Sequence, residues 1–218
     1  MELIGPERTY VSIYGGPAAA LRDFEKELRC NSSIVSEDEE PIERNTIPHV
    51  RLPTGEQRIK RISYLAEVRN RALLPLDSID VEFDKILFLN DVIFDPKEAA
   101  RLLFATNTVS EFEDGSGTVS TNYRAACALD FISPFKFYDT FATRDLQGYS
   151  LGVPFFPYFA DVGNAESRKD IIAGKNEVRV KSCWGGMVAF DARFFQKPLP
   201  KTDAVSYTHL TLPTKRIV

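Results

Sequence analysis

The chain has 218 residues, 44% hydrophobic and 27% charged, a globular mix that excludes wholesale disorder and fibrous repeats. Lys plus Arg number 27 against 31 Asp plus Glu, a net charge of -4. With no basic excess or basic stripe, nucleic acid is excluded as a partner. No apolar run approaches the roughly 18 residues of a membrane span and no signal segment opens the chain, so the chain as it stands is expected to be soluble.

The first expected element is a strand, Thr9-Tyr10-Val11-Ser12-Ile13-Tyr14, stopped by Gly15-Gly16-Pro17. Leu21, Phe24 and Leu28 recur at helical spacing over residues 18–29, and Ile34-Val35 reads as a short strand. The acidic, proline-containing stretch 37–54 reads as an exposed loop. Ile62, Leu65, Val68, Ala72 and Leu73 mark a helix over 59–74, which Pro75 is expected to end. Ile86-Leu87-Phe88-Leu89 is apolar throughout and reads as a central strand buried on both faces, followed by Asn90-Asp91.

A helix over 96–104 is predicted, with Asp95 as N-cap and Pro96 at its first position. Residues 111–120 read as a Gly/Ser/acidic loop, and 125–131 as a second apolar run carrying Asp130. Pro154 to Phe159 is an aromatic, proline-rich turn. Val178–Ser182 and Met187–Phe190 read as strands around Cys183-Trp184-Gly185-Gly186. Early alternation of strand and helix gives an α/β fold, with a mixed sheet towards the end.

Three cysteines make no disulfide framework. Cys127 and Cys183 are expected as reduced, buried thiols, with a single bridge in an oxidising compartment as the alternative. His49 and His209 are too few and too far apart for a histidine metal site. Residues 205–218 continue no earlier pattern and resemble translated adapter read-through. The native sequence is expected to stop near Asp203 or Ala204, leaving a single domain over 1–204, truncated at one or both ends.

The chemistry concentrates in a few places. A buried strand ending in Asp91 puts a carboxylate at the rim where α/β sheets bind ligands. Mg²⁺ or Mn²⁺ there would bridge Asp91 to a diphosphate, with Asn90 assisting; the plainer alternative is a turn after a strand. Arg69 offers a planar donor fork for phosphate or a base edge and Asn70 a base or ribose contact, against a solvated helix face. Asp130, Asp139 and Asp145 lie in or beside apolar and aromatic stretches and together would furnish a polar pocket. Each alone is also readily structural. Trp184 offers a flat face for a sugar, and Gly185 and Gly186 a backbone that a ligand can approach; the alternative is a tight turn with a core Trp. The phosphate-loop and dinucleotide glycine motifs are absent, and Asp91 and Asp95 are wrongly spaced for a phosphatase pair.

Taken in order, Ser63-Tyr64-Leu65-Ala66-Glu67-Val68-Arg69-Asn70-Arg71-Ala72-Leu73, Phe83-Asp84-Lys85-Ile86-Leu87-Phe88-Leu89-Asn90-Asp91-Val92, Ala125–Phe131, Tyr138-Asp139-Thr140 with Arg144-Asp145, and Val180–Met187 resemble the fungal cryptococcal mannosyltransferase family over about 9–197. The resemblance implies a GT-A-like, Rossmann-related mixed sheet flanked by helices. It implies a capsule-associated α-1,3-mannosyltransferase that uses GDP-mannose, a glycan acceptor and Mn²⁺ or Mg²⁺, with retention of configuration. It also implies a Golgi membrane protein facing the lumen, whose anchor is expected in the full-length protein and absent here.

On that reading Asp91 is the metal ligand, with one carboxylate where GT-A enzymes carry Asp-x-Asp. Asp91, Asp130 and Asp145 are the catalytic candidates. Arg69, Asn70, Asn90, Asp139, Arg144, Lys181, Trp184, Gly185 and Gly186 are the substrate-binding candidates. The competing class is a non-catalytic nucleotide-sugar or glycan-binding domain; a third is a metal-dependent phosphohydrolase.

Overall fold

A computed structural model describes residues 4–90, 92–111, 118–138 and 140–196, which fall into two compact units divided after Val81. The tail 205–218 lies outside the described residues.

The first unit opens with strand β1 (Tyr10–Tyr14), helix α1 (Ala18–Glu27) and strand β2 (Asn31–Val35). β1 and β2 pair in parallel, from Tyr10 opposite Asn31 to Tyr14 opposite Val35. The turn into α1 runs through Gly15 (φ 90°) and Gly16 (φ 98°), conformations that L side chains rarely adopt.

The stretch 37–54 is not the simple exposed loop its composition predicts. Ile42 and Ile47 are each only 5% exposed and form a core with Tyr14. Strand β3 (His49–Arg51) then pairs antiparallel with β4 (Gln57–Ile59). Two isolated isoleucines in a polar run carry no periodicity, so only the tertiary contact reveals them.

Helix α2 (Arg61–Leu73) turns Tyr64, Val68 and Ala72 to that core, an i, i+4, i+8 face. The Ser12 hydroxyl donates to the Ala72 carbonyl at 2.6 Å and fastens the helix end to β1. Pro75 does not simply stop the helix. It takes the first position of a one-turn helix, α3 (Pro75–Ser78), where its missing N–H costs nothing.

The second unit contains β5 (Lys85–Leu89), α4 (Pro96–Phe104), the ribbon β6 (Thr108–Glu111) with β7 (Thr118–Thr121), β8 (Ala125–Cys127), and the ribbon β9 (Phe131–Ser133) with β10 (Lys136–Phe137). Then follow α5 (Glu166–Ile172), β11 (Met187–Asp191) and α6 (Arg193–Gln196). Asp95 caps α4 as expected, its carboxylate accepting from the Lys97 amide at 2.8 Å. The three-stranded sheet has the order β5-β11-β8, with β11 antiparallel to both neighbours.

This corrects the expected centre. β11 is the buried middle strand, with Val188 and Ala189 fully buried, whereas β5 is half-buried and Leu89 exposed. Burying Val188 contributes roughly 2 kcal/mol. Of the expected strand 178–182, only Ser182 pairs, in an isolated bridge with Arg144. The architecture is mixed α/β, but the described strands form five small sheets rather than one continuous sheet flanked by helices.

Cys127 and Cys183 are not reduced thiols; they form a disulfide across 56 residues. It ties the end of β8 to the segment that enters β11. In the chain-entropy account a loop of that length is stabilised by about 4 kcal/mol, so Cys127→Ser should lower unfolding stability by about 2–4 kcal/mol. Urea titration of wild type and variant reads the difference, and coincident curves would show that the bond constrains nothing.

Helix α5, which no sequence pattern announced, is fixed by Asp170. This carboxylate is 4% exposed and accepts from Lys175 Nζ (2.7 Å) and Arg179 Nε (3.0 Å). The Arg179 hydrogen bond leads in holding its pKa below the ordinary carboxylate value, with Lys175 adding to the effect. A carboxyl lowered on folding contributes stability at neutral pH that is lost as pH falls from about 4 through the folded value. Asp170→Asn should therefore be less stable at pH 7 and lose less on acidification. Melting temperatures of the two proteins from pH 7 to 3 check this; parallel profiles would refute it.

Candidate active site

The second unit gathers several sequence-predicted residues at one edge of its three-stranded sheet. β5 and β8 end at the edge where β11 begins, because Leu89 and Cys127 lie opposite Met187 and Val188. Asn90 follows β5, Ala128 to Asp130 follow β8, and Trp184 to Gly186 precede β11. Backbone hydrogen bonds close the junction: Asn90 N to Gly186 O at 2.8 Å and Ala128 N to Met187 O at 2.9 Å. Asn90 is exposed, while Asp130 and Trp184 are half-buried. The Asp130 carbonyl accepts from the Tyr138 amide at 2.8 Å, which places the β9–β10 ribbon beside this edge. Asp91 and Asp139 lie outside the described residues.

The glycines serve this junction itself. A Cβ on Gly185 would stand 1.9 Å from the Ala128 carbonyl oxygen. Gly186 has φ 72°, and a Cβ there would stand 2.2 Å from Val92 Cγ1. The space beside them is taken by protein neighbours, the Ala128 carbonyl at Gly185 and the Val92 side chain at Gly186. The disulfide at Cys183 adds a covalent tie one residue before Trp184.

Two other candidates lie on a neighbouring loop. Arg144 donates through Nη1 to the Phe141 (2.6 Å) and Thr143 (2.7 Å) carbonyls. Its backbone carbonyl accepts from the Lys181 amide at 3.0 Å. Lys181 is exposed. Asp145 is 4% exposed, and its Oδ1 accepts from the amides of Gln147 (2.9 Å) and Tyr149 (2.8 Å). A carboxylate used this way shapes its own turn.

Arg69 and Asn70 belong to the first unit, half-buried on α2. Burial pulls the Arg69 pKa below the ordinary guanidinium value. Arg71, which the motif reading passed over, reaches the end of β1. Its guanidinium stacks 5.1 Å from the Tyr14 ring centroid and donates to the Tyr14 hydroxyl (3.1 Å) and the Glu40 carbonyl (3.0 Å). The available signal was Glu67 four residues earlier, whose carboxylate accepts from Arg71 Nε at 3.2 Å.

The profile of the family described as Cryptococcal mannosyltransferase 1 matches residues 1–212, nearly the whole chain. The chain belongs to this family. The family's name places it among the glycosyltransferases in general terms. No curated protein and no solved structure matches the chain. No helix among the described residues is long and apolar enough to cross a membrane.

For this mannosyltransferase-family chain the junction geometry makes a sharp demand. In Gly185→Ala the new methyl meets backbone oxygen, which cannot rotate away. Destabilisation on the order of 3 kcal/mol is expected. Differential scanning calorimetry measures it, and an unchanged melting temperature would remove the close-approach argument.

Proposed function

We propose that the chain is a retaining α-1,3-mannosyltransferase, GT-A-like in fold, that moves mannose from GDP-mannose to a glycan hydroxyl. The observation that carries this reading is the convergence of Asn90, Asp130 and Trp184 on one sheet edge in a chain of the mannosyltransferase family. The parallel β1–α1–β2 pair supports a GT-A-like assignment. The Cys127–Cys183 disulfide supports a lumenal, oxidising compartment such as the Golgi.

A divalent cation fits the donor chemistry of the edge. The oxygens of Asn90 and Asp130 are the hard ligands that Mn²⁺ or Mg²⁺ takes. Among the described residues, no three His, Cys, Asp or Glu side chains form a group able to hold a metal by themselves. Asp91 would therefore be the principal protein ligand, assisted by Asn90, with donor diphosphate oxygens completing the shell. When bound, the cation supplies neutralisation of diphosphate charge.

The chain's own residues do the rest. Lys181 adds positive charge toward the leaving group. Arg144, tied to its own loop carbonyls, sets the position of Lys181. Trp184 stacks on a sugar ring. Asp130, and Asp139 with it, orient acceptor hydroxyls, and Asp145 keeps the 145–149 turn in shape. The acceptor oxygen forms the new bond to C1 of mannose as the C1–O bond to GDP breaks. The acceptor proton passes to the departing phosphate oxygen on the same face, which retains the configuration.

Asp91→Ala should abolish mannose transfer from GDP-mannose while leaving the circular dichroism spectrum and melting temperature in place. Radiolabelled transfer to a mannan acceptor, with and without Mn²⁺, gives the readout. Full transfer in the variant would remove the metal role. Glycan binding by a wild type that neither binds GDP nor transfers mannose would favour a lectin-like domain.

A further inference from the structure

One short motif of the first unit has no part in the transfer site. Asn31-Ser32-Ser33 is the single Asn-x-Ser/Thr triplet, with x other than proline, in the sequence. We propose that Asn31 is an N-glycosylation site, the acceptor of one oligosaccharide added in a lumenal compartment.

Exposure comes first. Asn31 opens β2 and is exposed, whereas the other four residues of the strand, Ser32 to Val35, are half-buried. The packing explains the difference. Alternation along the strand puts Asn31, Ser33 and Val35 on one face. That face is the one α2 covers, because Val35 packs on the same core as Tyr64, Val68 and Ala72. Ser33 lies opposite Ser12, whose hydroxyl holds the Ala72 carbonyl and fastens the end of α2. Asn31 lies opposite Tyr10, two residues further out than that fastening.

The surroundings leave room for a large polar chain. Among the described residues β2 pairs with β1 and has no strand on its other side. Asn31 stands at the amino end of the pair, and at ~3.3 Å per residue roughly 13 Å of strand separates it from Val35. A glycan on Asn31 therefore extends into solvent and leaves the carboxyl edge of β1 and β2 clear. Ser33 supplies the hydroxyl that the motif requires. It is half-buried once the sheet has formed. Transfer accordingly falls on the nascent chain, before β2 pairs with β1, and the folded protein has only to keep Asn31 outside.

The second unit supplies the compartment independently. The Cys127–Cys183 disulfide belongs to an oxidising lumen, where glycan donors for asparagine are also found. The donor is a lipid-linked oligosaccharyl diphosphate, and this chain is the acceptor. Asn31 Nδ2 forms a bond to C1 of the first sugar and gives up one proton. The C1–O bond to the diphosphate breaks, and the lipid diphosphate leaves with the electron pair.

This inference rests on the lumenal part of the proposed function and not on GDP-mannose, and one experiment separates their failures. The chain is directed by a cleavable signal segment into the secretory pathway of eukaryotic cells, as wild type, Asn31→Gln and Ser33→Ala. Gel mobility is compared before and after peptide-N-glycosidase treatment, and thiol labelling before and after reduction reports the Cys127–Cys183 bridge in the same samples. Wild type should run as one slower band that the enzyme collapses to the position of Asn31→Gln, with residue 31 read as Asp by peptide mass spectrometry. Ser33→Ala, which keeps the asparagine, should run unshifted. A formed bridge with no glycan, or a shift that Asn31→Gln keeps, overturns the assignment of Asn31 while the lumenal reading stands. Reduced thiols with no glycan overturn both.

Discussion

The contact between Gly185 and the Ala128 carbonyl is the constraint on which the second unit turns. The carboxyl ends of β5 and β8 meet the start of β11 only because the chain at 185–186 carries no side chains. That meeting places Asn90, Asp130 and Trp184 within one small region. The hydrogen bond from Asn90 N to Gly186 O then fixes the exit of β5. The Cys127–Cys183 bond fastens two of the three segments covalently. A site built on backbone joints of this kind keeps its shape without relying on the rotamers of its functional side chains.

Two glycine pairs serve opposite ends. In the second unit, Gly185 and Gly186 admit another part of the protein. In the first, Gly15 and Gly16 turn the chain through positive φ and leave space open beside an acidic turn. The same residue type thus marks closure in one place and access in the other. Only the neighbours of the absent Cβ distinguish them.

Charge is divided in a similar way. Buried or half-buried ionic groups such as Asp170 and Arg71 are paired and act on structure. Asp145 accepts two backbone amide hydrogen bonds at Oδ1. By contrast, Asn90 and Lys181 stand exposed. Groups already satisfied within the fold are poor partners for a substrate, because binding would first have to break what holds them.

Much was legible in residue order alone. The β1–α1–β2 unit followed from a β-rich run, a glycine pair and an amphipathic repeat, all set by neighbours a few positions away. The α4 cap followed from Asp95-Pro96 for the same reason. The family followed from long motifs in sequence order. The burial of β11 over β5, the pairing of Cys127 with Cys183, the core role of Ile42 and Ile47, and the helix at 166–172 were decided by tertiary structure. Each depends on which distant segment lies alongside, and local pattern carries no information about that. Trp184-Gly185-Gly186 shows the boundary: its composition marked a place of close approach, and only the fold identified the protein neighbours there, the Ala128 carbonyl and the Val92 side chain.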